Sequence, residues 1–582
     1  MAKTSSKQNE NFHFNASNVS SNILGSSWVN LYSTIEKVTF SKEDFQNAML
    51  NVIREPNINS TVVLRADILN EITYSPSDGE EIEHITQDLD KLPIPDKDAV
   101  QINLNDITPR VDLFNDSDEK NFEKKHDIFI WKQIVRRVIP RNVFKDAIIN
   151  QTCLLLNSKN PTFKETSLVI YTPHLNNPDD CPFYLPKVKS VGILLHESIL
   201  SVHYLPFSDE TVTKENSIPP VLLDENDRMV RTAYRLLQTA NKHSNGVMQG
   251  YEKRVTHDQI ISKVVFQNRY VQLKKKYSKF LVDSWVESTD PKKHVFEDIS
   301  IAAFLIELWI KIYGTNFREK MQFRDLGCGN GVLVYILISE GVNGVGTDAR
   351  RRKSWSIYPS NVQASLTEQV IVPALLLRPY PTLHQMYPNI DYNSNVFPVK
   401  LGNSEESTPD VPQKAILYSS KDLLDSPRVC TTEFPPNTFI IGNHSDELTC
   451  WIPLLGYPFM VIPCCSHGFS GQRVRYRVKK NKSDIQKTPS PANQNNNNKG
   501  NSSYAGLVSE VEDISNKVGW QARLELLRIP STRNAAIVAY ENKNALASFP
   551  TQEVYEVIQN GGGAGGWIEN TMNLMKKKPR GH

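Results

Sequence analysis

The sequence predicts an α/β protein, an open and mostly parallel sheet preceded by an α+β domain. Three observations carry this reading. From Met321 to about residue 545, strand-like apolar runs alternate with helical ones, the pattern of a parallel sheet with crossover helices. Residues 222–313 turn helical and end in "VFEDISIAAFLIELWIKIY", where Ile299, Ala302, Ala303, Ile306 and Ile310 recur at helical spacing. Earlier, residues 23–245 mix helices with strands and include "KSVGILLHESILSVHYLPF" (Lys189–Phe207), which reads as a hairpin around His196, Glu197 and Ser198.

Length and composition bound the rest. A chain of 582 residues exceeds one ordinary core, so two domains with insertions are expected. Apolar content of 39% and charged content of 22% describe a soluble globular chain, and a net charge of +2 leaves any nucleic-acid face to be read from clustering. Seven cysteines form no CxxC pair, and adjacent Cys464 and Cys465 suit neither a zinc knuckle nor a routine disulfide; a reduced, intracellular protein is expected. The opening residues have no apolar core of a secretory signal. The most apolar stretch, Leu448–Cys465, is broken by three prolines and reads as a buried strand region rather than a membrane span.

Four regions follow. Residues 1–22 are Ser/Asn/Lys-rich and expected to be disordered. Residues 23–245 form the α+β domain and 246–560 the sheet domain, interrupted by a Pro/Asn/Ser-rich insertion at 379–432 and a low-complexity loop at 483–503. Residues 561–582 read as a Gly-rich and basic tail. Its "GGGAGG" (Gly561–Gly566) follows a helical pattern and lacks the Lys-Ser/Thr of a phosphate loop, so a flexible linker is expected.

Within the sheet domain, "FRDLGCGNGVLVYILISEGVNGVGTDARRRKSW" (Phe323–Trp355) is the most informative stretch. A strand brings Asp325 to its carboxyl end, and Gly327, Gly329 and Gly331 turn sharply into a helix. Glycine accepts positive φ and lets a ligand lie against the backbone, and ligands of open α/β sheets sit at strand carboxyl ends. The next strand ends in Asp348, a carboxylate suited to accept from both hydroxyls of a ribose. A dinucleotide, S-adenosylmethionine or a plain structural turn all compete for this loop. The dinucleotide fingerprint is GxGxxG, whereas this loop is DxGxGxG. Its leading acid suits a cationic amino-acid moiety better than a pyrophosphate. The pattern therefore favours a class I (Rossmann-like) S-adenosylmethionine-dependent methyltransferase sheet, with Asp325, Gly327, Gly329, Gly331 and Asp348 binding cofactor.

The acceptor side follows on "FIIGNHSDELTCWIP" (Phe439–Pro453), where Asn443, His444, Ser445, Asp446 and Glu447 emerge after an apolar strand. Proton-accepting groups belong at such a strand end, and Asp446 and His444 are the candidates for removing or screening an acceptor proton. Asn443 is assigned to the cofactor. Helix capping by Asn443 and Ser445 is the bland alternative. Cys464 and Cys465 read as small packing residues. In "QRVRYRVKKNK", Arg473, Arg475 and Arg477 alternate with Val474, Tyr476 and Val478, so a strand would place three guanidiniums on one face, extended by Lys479, Lys480 and Lys482. With "ARRRK" (Ala349–Lys353) and the terminal "KKKPR", this ridge is expected to bind nucleic-acid phosphates; a solvated edge strand is the alternative.

The strings "WVESTDPKKHVFEDISIAAFLIELW", "FRDLGCGNGVLVYILISEGVNGVGTDARRRKSW", "FIIGNHSDELTCWIPLLGYPFMVIPCC" and "LRIPSTRN" together resemble the tRNA (uracil-2′-O)-methyltransferase family, over about 250–545, with a further likeness at "YLPKVKSVGILLHESILSVHYLPF". "GNHSDELTCW" and "LRIPSTRN" are its most distinctive strings. The resemblance implies S-adenosylmethionine, a cytoplasmic enzyme, and methylation of the uridine at position 44 of serine tRNA. It does not choose between Asp446 and His444. The residues alone leave open a methyltransferase acting on another RNA position or on a base or protein nitrogen, and a non-catalytic tRNA-binding protein.

Overall fold

A computed structural model describes residues 12–15, 24, 27–76, 79–88, 92–111, 127–207, 222, 224–251, 257–376, 426–477, 503–544 and 549–574. The chain divides into two compact units, 1–254 and 255–582. The boundary falls beyond residue 245 because the helix Arg228–Met248 buries Val230, Ala233, Leu237 and Ala240 in the core of the first unit.

The first unit is an antiparallel sheet in the order β1-β2-β10-β9-β8-β7-β6-β3-β4, where β3 is Val63–Tyr74 and β4 Glu81–Thr86, with the short β5 (Gln101–Ile102) parallel beside β7. Its centre is β6 (Ile128–Pro140), β7 (Ile148–Ser158) and β8 (Ser167–Pro173), buried along most of their length. Two helices cover one face. The first, α1 (Lys42–Arg54), opens on a Ser41–Asp44 capping box and buries Phe45, Met49 and Ile53; the second, α2, is Arg228–Met248. The Lys189–Phe207 hairpin is present as β9 (Ser190–His196) and β10 (Ile199–Leu205). Its turn puts both Glu197 and Ser198 at positive φ, which matches the twist of the flanking strands. The expected disorder of residues 1–22 is corrected in part. Phe12–Phe14 form a strand, β1, paired with Tyr32–Thr34 of β2 (Val29–Thr34), and the Phe14 and Tyr32 rings lie 5.0 Å apart.

The second unit is a seven-stranded sheet in the order β13-β12-β11-β16-β17-β19-β18. β11 (Gln322–Leu326), β12 (Gly344–Asp348), β13 (Leu366–Glu368), β16 (Thr438–Asn443) and β17 (Phe459–Ile462) run parallel. The final pair, β18 (Arg523–Leu526) and β19 (Ala535–Ala539), is an antiparallel hairpin, so the parallel pattern read from the sequence stops at β17. Helices α3 (Lys263–Asp283) and α4 (Pro291–Tyr313) pack on each other and on one sheet face, where Trp309 stacks on Phe323 and meets Phe439 edge-on. Gly344 and Gly442 are close-approach positions, since a Cβ would come within 2.3 Å of the Phe323 ring and 2.2 Å of Ile452.

Only 426–432 of the 379–432 insertion are described; there β15 (Val429–Cys430) pairs with β14 (Val370–Ile371). The 483–503 loop lies outside the described residues except Ser503, which begins a helix running to Lys517. The glycine run is not a linker to a tail. It joins the helices Gln552–Asn560 and Trp567–Leu574, a Cβ on Gly561 would meet the Phe469 ring at 2.7 Å, and Trp567 is buried against Trp451. Glycine is needed there for backbone shape and contact, which composition alone reads as flexibility. Residues 575–582, with their basic string, are outside the described set. No described helix is long and apolar enough to cross a membrane.

Candidate functional site

A cavity of about 630 Å³ opens at the carboxyl ends of the parallel strands. Its lining includes Asp325, Gly327, Gly329, Asp348, Asn443, His444 and Asp446, so residues spread over more than a hundred positions of sequence converge there.

The glycine loop forms one wall. Gly327, Gly329 and Gly331 all have positive φ, at 84°, 52° and 77°. A Cβ on Gly329 would meet nothing within 4 Å, so the loop faces open space at that residue. The loop is braced from behind: Trp355 Nε1 donates to Gly329 O at 2.9 Å, and Ser354 Oγ and Tyr358 Oη donate to Asn330 O. Asp348 reaches back to accept from the amides of Gly329 and Arg350, each at 3.0 Å. Its carboxylate thus fixes the loop as well as facing the cavity. Gly331 departs from the expectation that it binds ligand. It is absent from the cavity lining and caps helix α5 (Val332–Ser339), where a Cβ would press on Leu366 and Tyr358 at 3.2–3.3 Å. Its role is the turn and the packing behind it.

The floor is acidic. Asp325 is 1% exposed, its Oδ1 has no hydrogen-bond partner, and burial with the nearby Asp348 charge pushes its carboxyl up to about 8. Asp298, from α4, is pushed well above the usual carboxylate range by burial and by the Glu297 and Asp325 charges. Asn443 Nδ2 donates to Asp298 Oδ1 at 3.0 Å, so Asn443 ties β16 to α4 and does not cap a following helix. His444 Nε2 lies 3.0 Å from Glu297 Oε1. Glu297 and Asp298 escaped the sequence reading. The signal was two carboxylates inside an otherwise apolar helical run, with Asp298 on the same stripe as Ala302.

His444 and Asp446 both adopt positive φ, at 52° and 46°. For residues with a Cβ that conformation costs about 1 kcal/mol or more each, strain of the kind that functional loops retain. Asp446 Oδ1 accepts from the Cys464 thiol at 2.7 Å, and Asp446, Cys464 and Cys465 bring their ligand atoms within 4.8 Å of one another. Both cysteines line the cavity, which corrects their reading as packing residues. Burial and Asp446 push the Cys464 thiol far up, so it holds its proton and serves here as a donor.

Cations sit at other points of the lining: Lys293, Arg350, Arg352 and Arg533, the last from "LRIPSTRN". The basic ridge is not the strand that alternation predicts. Arg473 makes a single bridge to His467, and 474–477 are irregular because Tyr476 turns in to donate to His467 O at 3.0 Å. Arg473, Arg475 and Arg477 are exposed, and Val474 is exposed beside them. Lys479 and Lys480 lie outside the described residues.

This donor set fits S-adenosylmethionine. An orphaned buried carboxylate and a second acid beside it suit an ammonium and a sulfonium, and the bare side of Gly329 leaves room for a ligand against the backbone. A dinucleotide's pyrophosphate would have to share a cavity lined by Asp325, Asp298 and Asp348, which counts against it.

Comparison with known proteins adds independent information. A family model described as "TRM44-like, N-terminal bet v1-like domain" matches residues 5–254, and one described as "Predicted AdoMet-dependent methyltransferase" matches 260–373. Proteins named tRNA (uracil-O(2)-)-methyltransferase are similar along almost their whole length. The one from Saccharomyces cerevisiae is 57% identical over 99% of this chain and 98% of its own. That from Kluyveromyces lactis is 55% identical over 97% and 98%, and that from Schizosaccharomyces pombe 33% identical over 93% and 92%.

Proposed function

The chain belongs to the tRNA (uracil-O(2)-)-methyltransferase family, and from that premise we propose that it methylates the 2′-hydroxyl of the uridine at position 44 of serine tRNA. The full-length similarity to proteins of that name carries the reading. The enzyme is an S-adenosylmethionine-dependent tRNA methyltransferase. The choice of serine tRNA and of position 44 is the finer part of the proposal. The order of the second sheet, with parallel strands flanked by an antiparallel pair, supports a class I Rossmann-like architecture.

When bound, the cofactor supplies a methyl group on a sulfonium, which passes to the acceptor oxygen as the sulfur takes back the bonding electron pair. The residues of this chain do the rest. Asp325 and Asp298 would face the cationic amino-acid portion and the Gly327–Gly329 backbone would give it room, while Asp348, which holds the loop, would offer its carboxylate to the ribose. Arg533, Lys293 and the exposed Arg473, Arg475 and Arg477 supply positive charge for tRNA phosphates. The 2′-hydroxyl is a weak nucleophile, so a group at its side of the cavity must take the proton; that His444 and Asp446 both line the cavity supports one of them in this role.

The experiment is methyl transfer from labelled S-adenosylmethionine to total tRNA, followed by nucleoside analysis and mapping of the labelled tRNA. Label in 2′-O-methyluridine of serine tRNA at position 44 is expected. Label on a base, or in another tRNA alone, would refute the finer proposal.

A further inference from the structure

We infer that Glu297 and His444 form a carboxylate–imidazole pair in which Glu297 is the positioning residue and His444 Nδ1 accepts the acceptor hydroxyl's proton. The inference rests on the methyltransferase reading above and names the group that reading leaves open. Its basis is the juxtaposition of His444 Nε2 and Glu297 Oε1 at 3.0 Å, with side chains 27% and 7% exposed.

An ionised carboxylate only accepts, so Glu297 holds the proton of the neutral ring on Nε2 and leaves Nδ1 as the lone-pair nitrogen. Nδ1 makes no hydrogen bond among the described residues, while His444 lines the cavity. Asp446 is engaged differently, accepting from the Cys464 thiol at 2.7 Å. Other charged or titratable groups share the cavity: Asp298 on α4, Asp325 on β11, Glu447 on the same loop, and Cys465 and Arg533 across from it. None of these bonds to the imidazole; Glu297 does. His444 is held at a positive φ, a disfavoured conformation of the kind that functional sites retain.

The proton balance is simple. The 2′-hydroxyl O–H bond breaks as the oxygen is methylated, and its proton moves to Nδ1. The imidazolium then faces the Glu297 carboxylate, which stabilises the charge, and water removes the proton afterwards.

The test compares full-length wild type, His444→Ala, Glu297→Gln and Glu297→Asp. Single-turnover methyl transfer to tRNA is followed against pH, with cofactor affinity and melting temperature as controls. His444→Ala should lower the rate about a hundredfold or more, within the range for general bases, with cofactor affinity retained. Glu297→Gln should lower kcat with KM little changed and move the acidic limb of the profile to lower pH, because the imidazolium has lost its carboxylate. Glu297→Asp should restore part of the rate. Diethylpyrocarbonate modification of His444, read by mass spectrometry against pH, supplies a readout independent of activity, and its profile should move the same way in Glu297→Gln. A folded Glu297→Gln enzyme with an unmoved modification profile overturns the pair, whatever the wild-type activity. A moved profile in a wild-type chain that methylates no tRNA leaves the pair standing and refutes the methyltransferase reading instead.

Discussion

Binding of the cofactor should expel a proton from Asp325. The carboxyl is buried with an unpartnered oxygen, and its value rises from 3.8 to about 8 through burial first and the Asp348 charge second. At pH 7 it is therefore about nine-tenths protonated in the empty protein. An ammonium beside it reverses the balance, since an opposite charge favours the ionised form. If the bound value falls below 5, affinity tightens by about eight- to ninefold from pH 6 to pH 7, and the gain fades above pH 8. In the empty protein the sign is opposite. The folded value lies above the unfolded one, so the stabilising contribution is complete below pH 4 and is lost as pH rises towards about 8. Calorimetric titration with S-adenosylmethionine at pH 7, in buffers of different ionisation enthalpy, reads the proton directly; about one should be released. Asp325→Asn should abolish the release, flatten the pH dependence and weaken binding. Buffer-independent heats in the wild type, or an affinity that does not change between pH 6 and 7, would refute the reasoning.

Gly329→Val should remove cofactor binding at a stability cost limited to the strain of its positive φ, about 1–2 kcal/mol, because its Cβ points into open space, whereas Gly331→Val should lose about 1–3 kcal/mol more by pressing on Leu366 and Tyr358; the reverse assignment in calorimetry and thermal melts would sink the distinction. Trp567→Ala should cost about 3–5 kcal/mol, since the indole is 2% exposed and donates to Ile371 O at 3.1 Å; a denaturant midpoint equal to wild type would show that the final helix is dispensable. Replacing Arg473, Arg475 and Arg477 together with Gln should reduce the slope of log tRNA affinity against log salt by roughly 2–3 and spare cofactor affinity. An unaltered slope in filter binding would remove that segment from the tRNA surface.

Local pattern carried far where one element determines the outcome. Gly327, Gly329, Asp325 and Asp348 were legible because a strand, a turn and a strand end are adjacent in sequence. His444 and Asp446 were legible as a polar burst after an apolar strand. Glu297 and Asp298 were not, since their meaning depends on α4 crossing behind β16, a contact about 145 residues away along the chain. Gly331 shared the spacing of its neighbours yet faces Leu366, a distinction only the turn's orientation makes. The Arg473–Arg477 alternation suggested a strand, but Tyr476 finds a partner in His467 O, and tertiary contact overrode the pattern. Neither the helical pattern before the glycine run nor its lack of a phosphate-loop Lys-Ser/Thr can tell a flexible linker from a backbone squeezed against Phe469.

The reversal of β19 has a consequence for how this enzyme can change. Because β19 runs against β17, with Val461 opposite Ile537, its amino-terminal end lies at the same edge as the carboxyl ends of the parallel strands. The connection from β18 into β19, residues 527–534, therefore delivers Arg533 to the cavity from a segment separate from the glycine loop. The glycine loop and this connection thus reach one cavity from separate pieces of backbone. Substitutions in that one hairpin loop change the charge and shape of its side of the cavity while the backbone of the glycine loop, Asp325 and Asp348 stays untouched.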